Sequence, residues 1–129
     1  MTTKFSKIVS EQMALAAKKA FPSECCGILV GKKSEKGEIE VTEIREVDNQ
    51  IHGGEEATHF SIDPLFLYNI ERELDKSELE IIGFYHSHPD CKAILSAEDI
   101  KYMVPGLVYT ILSVTTQGVV DVKSYTRDL

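Results

Sequence analysis

Apolar and polar positions divide the chain into short blocks with two different periods. Met13, Leu15, Ala16, Ala17 and Ala20 recur at helical spacing, with Glu11 early and Lys18-Lys19 late, so that acid and base complement a helix dipole. Ser10 is the expected N-cap of this helix and Pro22 its stop. The run Cys25-Cys26-Gly27-Ile28-Leu29-Val30-Gly31 is apolar and glycine-bounded, which predicts a buried strand. A charged turn over 32–37 follows. Ile39, Val41, Ile44 and Val47 then alternate with Glu38, Glu40, Thr42, Glu43, Arg45 and Glu46. That alternation predicts a half-exposed strand, and its slip near Glu43 predicts a bulge. Residues 48–56, with Gly53-Gly54, predict a loop, and 58–62 a brief strand.

Asp63-Pro64 predicts the cap and first turn of a second helix. Its Leu65, Phe66, Tyr68, Ile70 and Leu74 form one broad apolar face, opposite Glu71, Arg72, Glu73 and Asp75. Glu80 to Tyr85 reads as a central strand ending at His86, and 87–95, with Pro89, as irregular. Ser96 starts a third helix, ended by Pro105-Gly106. Leu107 to Val114 is a β-branched strand that Thr115-Thr116-Gln117-Gly118 turns into a closing strand, Val119 to Tyr125. Strands with interspersed helices in this order predict an α/β (α+β) fold, a mixed sheet with helices packed on it. The 129 residues suit one compact domain, and no repeat or internal boundary divides them.

Composition narrows the function. With 43% hydrophobic and 27% charged residues the chain is of soluble globular type. A net charge of -7 leaves no basic surplus to neutralise phosphates, which argues against nucleic-acid binding. No apolar run reaches signal-peptide or membrane-span length, so a cytoplasmic protein without membrane contact is expected. Three cysteines (Cys25, Cys26 and Cys91) are an odd count, which argues against a disulfide scaffold and for reduced thiols.

The candidate chemistry lies between Gly83 and Asp99. His86 and His88 are separated by one residue at the end of an apolar run, so a strand aims both imidazoles the same way. Asp99 follows His88 by eleven positions, on the first turn of the expected helix. Two histidines and one carboxylate, with a fourth position for water, form the donor set of a catalytic zinc site. Each residue also has an ordinary explanation. Histidines at strand ends are mostly hydrogen-bonded surface residues, Ser96 and Asp99 fit a capping box, and Glu24 is a carboxylate ahead of a strand. Spacing alone leaves a metal site and a capped helix beside two surface histidines both open.

The combined pattern resembles the JAMM motif of the JAB1/MPN/Mov34 metalloprotease family: an upstream Glu, then His-Ser/Thr-His-Pro, then Ser-x-x-Asp after a fixed gap. The matching residues are Glu24, His86, Ser87, His88, Pro89, Ser96 and Asp99, with seven residues between His88 and Ser96. The segments from Pro22 to Gly31 and at Asp63-Pro64 resemble further parts of the family, so the likeness covers nearly the whole chain. It implies a largely antiparallel, curved sheet flanked by helices, of MPN / cytidine deaminase-like form. It also implies that His86, His88 and Asp99 bind Zn2+, that Glu24 moves a proton without being a ligand, and that Ser96 donates to an oxyanion. Ser87 and Pro89 are expected only to shape the loop and Cys91 to be a plain loop cysteine. His52 and His59 match no motif position and are expected to be structural.

The resemblance further implies a stand-alone prokaryotic-type peptidase, deubiquitinase-like or desampylase-like. It would cleave the peptide or isopeptide bond after the C-terminal Gly-Gly of a ubiquitin-like or sulfur-carrier protein. Such a tail is extended and suits pairing with a strand beside the metal. The competing expectations are a non-catalytic MPN scaffold, whose members typically lose ligands, and a nucleobase deaminase, whose Pro-Cys-x-x-Cys is absent here.

Overall fold

Val9, Met13, Ala16 and Ala17 are the buried positions of the first helix, spaced at i, i+4, i+7 and i+8. That stripe explains why the helix begins one turn before the expected start. Ser6, not Ser10, is the N-cap, its hydroxyl accepting the Val9 amide at 3.2 Å. The computed structural model describes residues 2–47 and 64–127. The expected loop over 48–56, the expected strand over 58–62, Asp63, His52 and His59 lie outside them.

Along the chain the elements are β1 (Thr2–Phe5), α1 (Lys7–Ala20), β2 (Cys26–Lys33), β3 (Glu38–Val47), α2 (Pro64–Leu74), β4 (Glu80–Pro89), α3 (Ala97–Tyr102), β5 (Val108–Thr115) and β6 (Gly118–Thr126). Among the described residues, one sheet holds six strands in the order β1-β3-β2-β4-β5-β6. Pairing is antiparallel at β2–β3, β2–β4 and β5–β6, and parallel at β1–β3 and β4–β5. The mixed, mostly antiparallel α+β architecture is the expected one. β1 was not anticipated, because four half-exposed residues carry too little alternation to announce a strand. The bulge near Glu43 is present: Val30 faces Glu43 and Gly31 faces Val41, leaving Thr42 as the extra residue.

Both faces of the sheet are covered by apolar clusters. On one, Val9, Met13 and Ala17 of α1 pack with Leu29, Val41, Ile82, Tyr85, Val108 and Leu112. On the other, Ile70 and Leu74 of α2 pack with Ile28 and Val30, flanked by Ile81 and Phe84. The face of α2 is narrower than its sequence suggests. Ile70 and Leu74 are buried, whereas Leu65 and Tyr68 are 63% and 53% exposed. Amphipathic spacing marks the apolar side of a helix but not how much of it a neighbour covers.

A second bulge sets the direction of the site. Leu29 pairs with Gly83 and Val30 with Ile81, so Ile82 is an extra residue in β4. Ile82 therefore joins the α1 side while Phe84 joins the α2 side, although strict alternation would put both on one face. His86 and His88, in phase with Phe84, inherit the α2 side. β4 also continues past its expected end at His86. Pairing with β5 runs to Pro89 opposite Val114, after pairing with β2 has stopped at Cys26 opposite His86. Proline is tolerated there because β2 no longer pairs and β4 has become an edge strand.

Gly83 permits a close approach of β4 and β5. A Cβ at that position would lie 1.9 Å from the Val108 carbonyl oxygen, which is backbone and unable to swing away. Gly83→Ala is expected to lower unfolding free energy by about 3 kcal/mol, at the upper end of overpacking costs. A urea melt measures it; a loss below about 1 kcal/mol would show that the strands separate easily.

Candidate metal centre

The four sequence-marked side chains around His86 arrive from three parts of the chain. His86 and His88 stand two residues apart on β4, Asp99 lies in the first turn of α3, and Glu24 precedes β2. His86 is 2% exposed and Glu24 5%. Among the described residues, donor atoms of His86, His88 and Asp99 gather within 4.8 Å of one another. The two Nε2 atoms are 3.0 Å apart. Asp99 Oδ1 lies 3.4 Å from His86 Nε2, and Oδ2 lies 3.5 Å from His88 Nε2. Glu24 Oε1 approaches His86 Nε2 at 4.0 Å, from outside that triangle.

These edges can be compared with what a small cation requires. Ligand distances near 2.05 Å in a tetrahedron put donors ~3.3 Å apart. The histidine nitrogens, 3.0 Å apart, and the two carboxylate oxygens, one at 3.4 Å from His86 and the other at 3.5 Å from His88, lie near that edge, and their N/O chemistry suits zinc. The residues present therefore fit a divalent metal ion.

Local folding explains why Asp99 is in place. Ser96 caps α3, its hydroxyl accepting the Asp99 amide at 3.0 Å while Asp99 Oδ2 accepts the Ser96 amide at 2.8 Å. The capping box expected as the plain alternative is thus real, and it fixes the carboxylate that faces the histidines. The Ser96 hydroxyl acts in the cap only as an acceptor, which leaves its proton for another partner.

The turn over residues 90–95 looks irregular in sequence but is tied down one carbonyl after another. Ser113 Oγ donates to the Cys91 carbonyl, and Tyr125 Oη donates to the Ala93 carbonyl at 2.6 Å. Between them, the Lys92 carbonyl accepts from His88 Nδ1 at 3.1 Å. In its neutral form, a His88 that donates through Nδ1 has its Nε2 lone pair turned toward Asp99 and His86, the tautomer a metal ligand needs. This partner was invisible in the sequence, since a backbone carbonyl carries no residue signature. Ser113 and Tyr125 were missed for the same reason: they act on main chain far away in sequence.

Charge in the cluster follows from these contacts. Burial disfavours the charged form of Asp99, but hydrogen bonds from His86, His88 and the Ser96 amide outweigh it and hold the carboxyl well below the usual carboxylate range. Burial likewise opposes a charged His88, yet Asp99 and the Lys92 carbonyl prevail and its pKa rises. Burial pushes the Cys25 thiol up, against the hydrogen bond of Ser87 and with the help of Glu24. None of the three cysteines is in a disulfide, and Cys91 is exposed.

The chain is 32% identical over 93 residues to a desampylase of Haloferax volcanii, covering 71% of this chain and 63% of that protein. With a desampylase of Pyrococcus furiosus it shares 31% identity over 80 residues, 62% of this chain and 51% of that one. The matched part thus spans between half and two thirds of these relatives. Among solved structures, a protein from Desulfitobacterium hafniense superposes with a TM-score of 0.73 at 27% identity, over 100% of this chain and 94% of that one. A JAB1/MPN domain protein from Archaeoglobus fulgidus shares the fold with a TM-score of 0.61 at 21% identity, over 98% of this chain and 90% of that one. Residues 6–128 match the family of prokaryotic homologs of the JAB domain, and the chain belongs to that family.

Proposed function

We propose that the protein is a zinc-dependent hydrolase that cleaves the peptide or isopeptide bond after the C-terminal Gly-Gly of a ubiquitin-like or sulfur-carrier protein. The observation that carries this reading is the triangle of His86, His88 and Asp99 with the Glu24 carboxylate beside it, 4.0 Å from His86 Nε2. The similarity to two desampylases supports the substrate class.

His86 Nε2, His88 Nε2 and one Asp99 oxygen would hold the zinc ion. Bound there, zinc supplies Lewis acidity, making water nucleophilic near neutral pH and polarising the scissile carbonyl. Glu24, nearly dry and outside the ligand triangle, takes the proton of the attacking water and passes it to the leaving amine. Ser96, whose oxygen already accepts in the cap, donates its free proton to the carbonyl oxygen as charge builds there. The Lys92 carbonyl keeps His88 in the tautomer that presents Nε2.

The test is mass spectrometry of products after zinc-loaded protein meets Gly-Gly-tailed ubiquitin-like substrates. The panel carries lysine-linked, linear and single-amino-acid adducts. Scission after the terminal glycine establishes the peptidase and ranks the linkages. Stoichiometric zinc with every adduct left intact would transfer the reading to a non-catalytic scaffold.

Zinc binding also has a predictable pH dependence. The raised pKa of His88 means that the metal-free site holds a proton which zinc must displace. Affinity should therefore fall as the medium is acidified, by about 10-fold or more between pH ~8 and pH ~6. Competition with a chelator at the two pH values measures this. A flat response would mean that His88 is not a ligand.

A further inference from the structure

Ser87 lies between the two histidines, and alternation turns its side chain to the opposite face of β4, the α1 side. It is fully buried. There it makes two bonds to one residue of the neighbouring chain segment. The Ser87 amide donates to the Cys25 carbonyl at 3.0 Å, and Ser87 Oγ accepts the Cys25 amide at 2.8 Å. This pair prolongs the β2–β4 ladder by one residue beyond Cys26 opposite His86, with a side-chain oxygen as one of the acceptors.

Cys25 is the residue after Glu24. Cys25 packs against the cluster on the α1 side, whereas the carboxylate of its neighbour Glu24 reaches the histidines, its Oε1 4.0 Å from His86 Nε2. Upstream, the chain is held by the Ser23 amide donating to the Ala20 carbonyl at 2.7 Å. Glu24 is thus bracketed by two anchors, and the downstream one is Ser87.

We propose that Ser87 is a positioning residue: through the Cys25 backbone, from the far face of the sheet, it holds the Glu24 carboxylate at the metal site. The inference rests on the proposed hydrolase reading for its kinetic consequence, but its geometric content stands apart from activity. The same short strand segment then carries the histidines on one face and the group that aims the base on the other. A displacement of about 1 Å in a proton-transfer group costs up to about 100-fold in rate.

The experiment compares wild type, Ser87→Ala and Ser87→Thr by zinc stoichiometry, by kcat and KM on a cleaved adduct, and by crystal structures. Ser87→Ala is expected to retain one zinc ion and a KM within about twofold, with kcat lowered about 10- to 100-fold. Its crystal structure should show Glu24 away from His86, and Ser87→Thr, which keeps the hydroxyl, should restore both position and rate. Should Ser87→Ala fail to fold, Ser87→Thr against Ser87→Val compares equal volumes with and without the hydroxyl. An unmoved Glu24 in the variant lacking the hydroxyl overturns the proposal, as does an unchanged kcat in a protein that cleaves. If wild type cleaves nothing, the hydrolase reading fails, and the position of Glu24 still decides the role of Ser87.

Discussion

Glu24→Gln should remove turnover and leave zinc in place. The expected loss in kcat is about 10²- to 10⁴-fold, the range of a general acid–base group. Zinc should remain at one ion per chain, because the proposed ligands are His86, His88 and Asp99, whose donor atoms gather without Glu24. Glutamine preserves the shape and fills the same nearly dry space, so the fold is not at risk. What it lacks is the capacity to take a proton. KM should change little if the carboxylate acts on the reacting water and not on substrate binding. Glu24→Asp makes a useful partner: it keeps the chemistry but withdraws the carboxylate by about one methylene, and should fall between the two. Turnover within about threefold of wild type in Glu24→Gln would end the assignment of Glu24 as the base.

The pattern of His86, His88 and Asp99 was legible because each step in it is local. Strand alternation pairs the histidines, and the capping box of Ser96 fixes Asp99 within one turn. Eight of the nine described elements, all but β1, are visible for the same reason, as local runs of apolar or alternating residues. What failed to show was set by partners distant in sequence. The apolar run Ile81-Ile82-Gly83-Phe84-Tyr85 has no polar residue to betray its phase, so the bulge at Ile82, which decides the face taken by the histidines, is silent. The start of α1 depends on Val9 finding the β-sheet, and the exposure of Leu65 and Tyr68 on what packs beside α2. Ser87 reads as a loop residue until its two bonds to Cys25, 62 positions away, are seen.

Asp99→Asn should have the opposite signature from Glu24→Gln: metal lost, fold kept. The carboxylate faces both histidines, at 3.4 and 3.5 Å, while its Oδ2 also accepts the Ser96 amide. Asparagine still offers an oxygen to that amide, so the capping box of α3 survives. It brings no negative charge to the metal. Altering a group that merely supports a ligand costs about 10- to 100-fold in affinity, so replacing the ligand itself should cost at least about 100-fold. The metal-free protein gives an independent reading. Because the Asp99 pKa is held below its unfolded value, its charge contributes stability above pH ~3.9 that is lost as the medium is acidified through the folded value. His88, with a raised pKa, contributes stability below pH ~6.5 that is lost as the pH rises through its folded value. Both contributions coexist between these limits, and both draw on a charged Asp99, the second together with the Lys92 carbonyl. The melting-temperature gap between metal-free wild type and metal-free Asp99→Asn should therefore be widest there and shrink toward strong acid and toward neutrality. Addition of zinc should then raise the melting temperature of wild type and not of Asp99→Asn, since only a site that binds the ion gains from mass action. Equal zinc affinity in the two proteins would remove Asp99 from the ligand set.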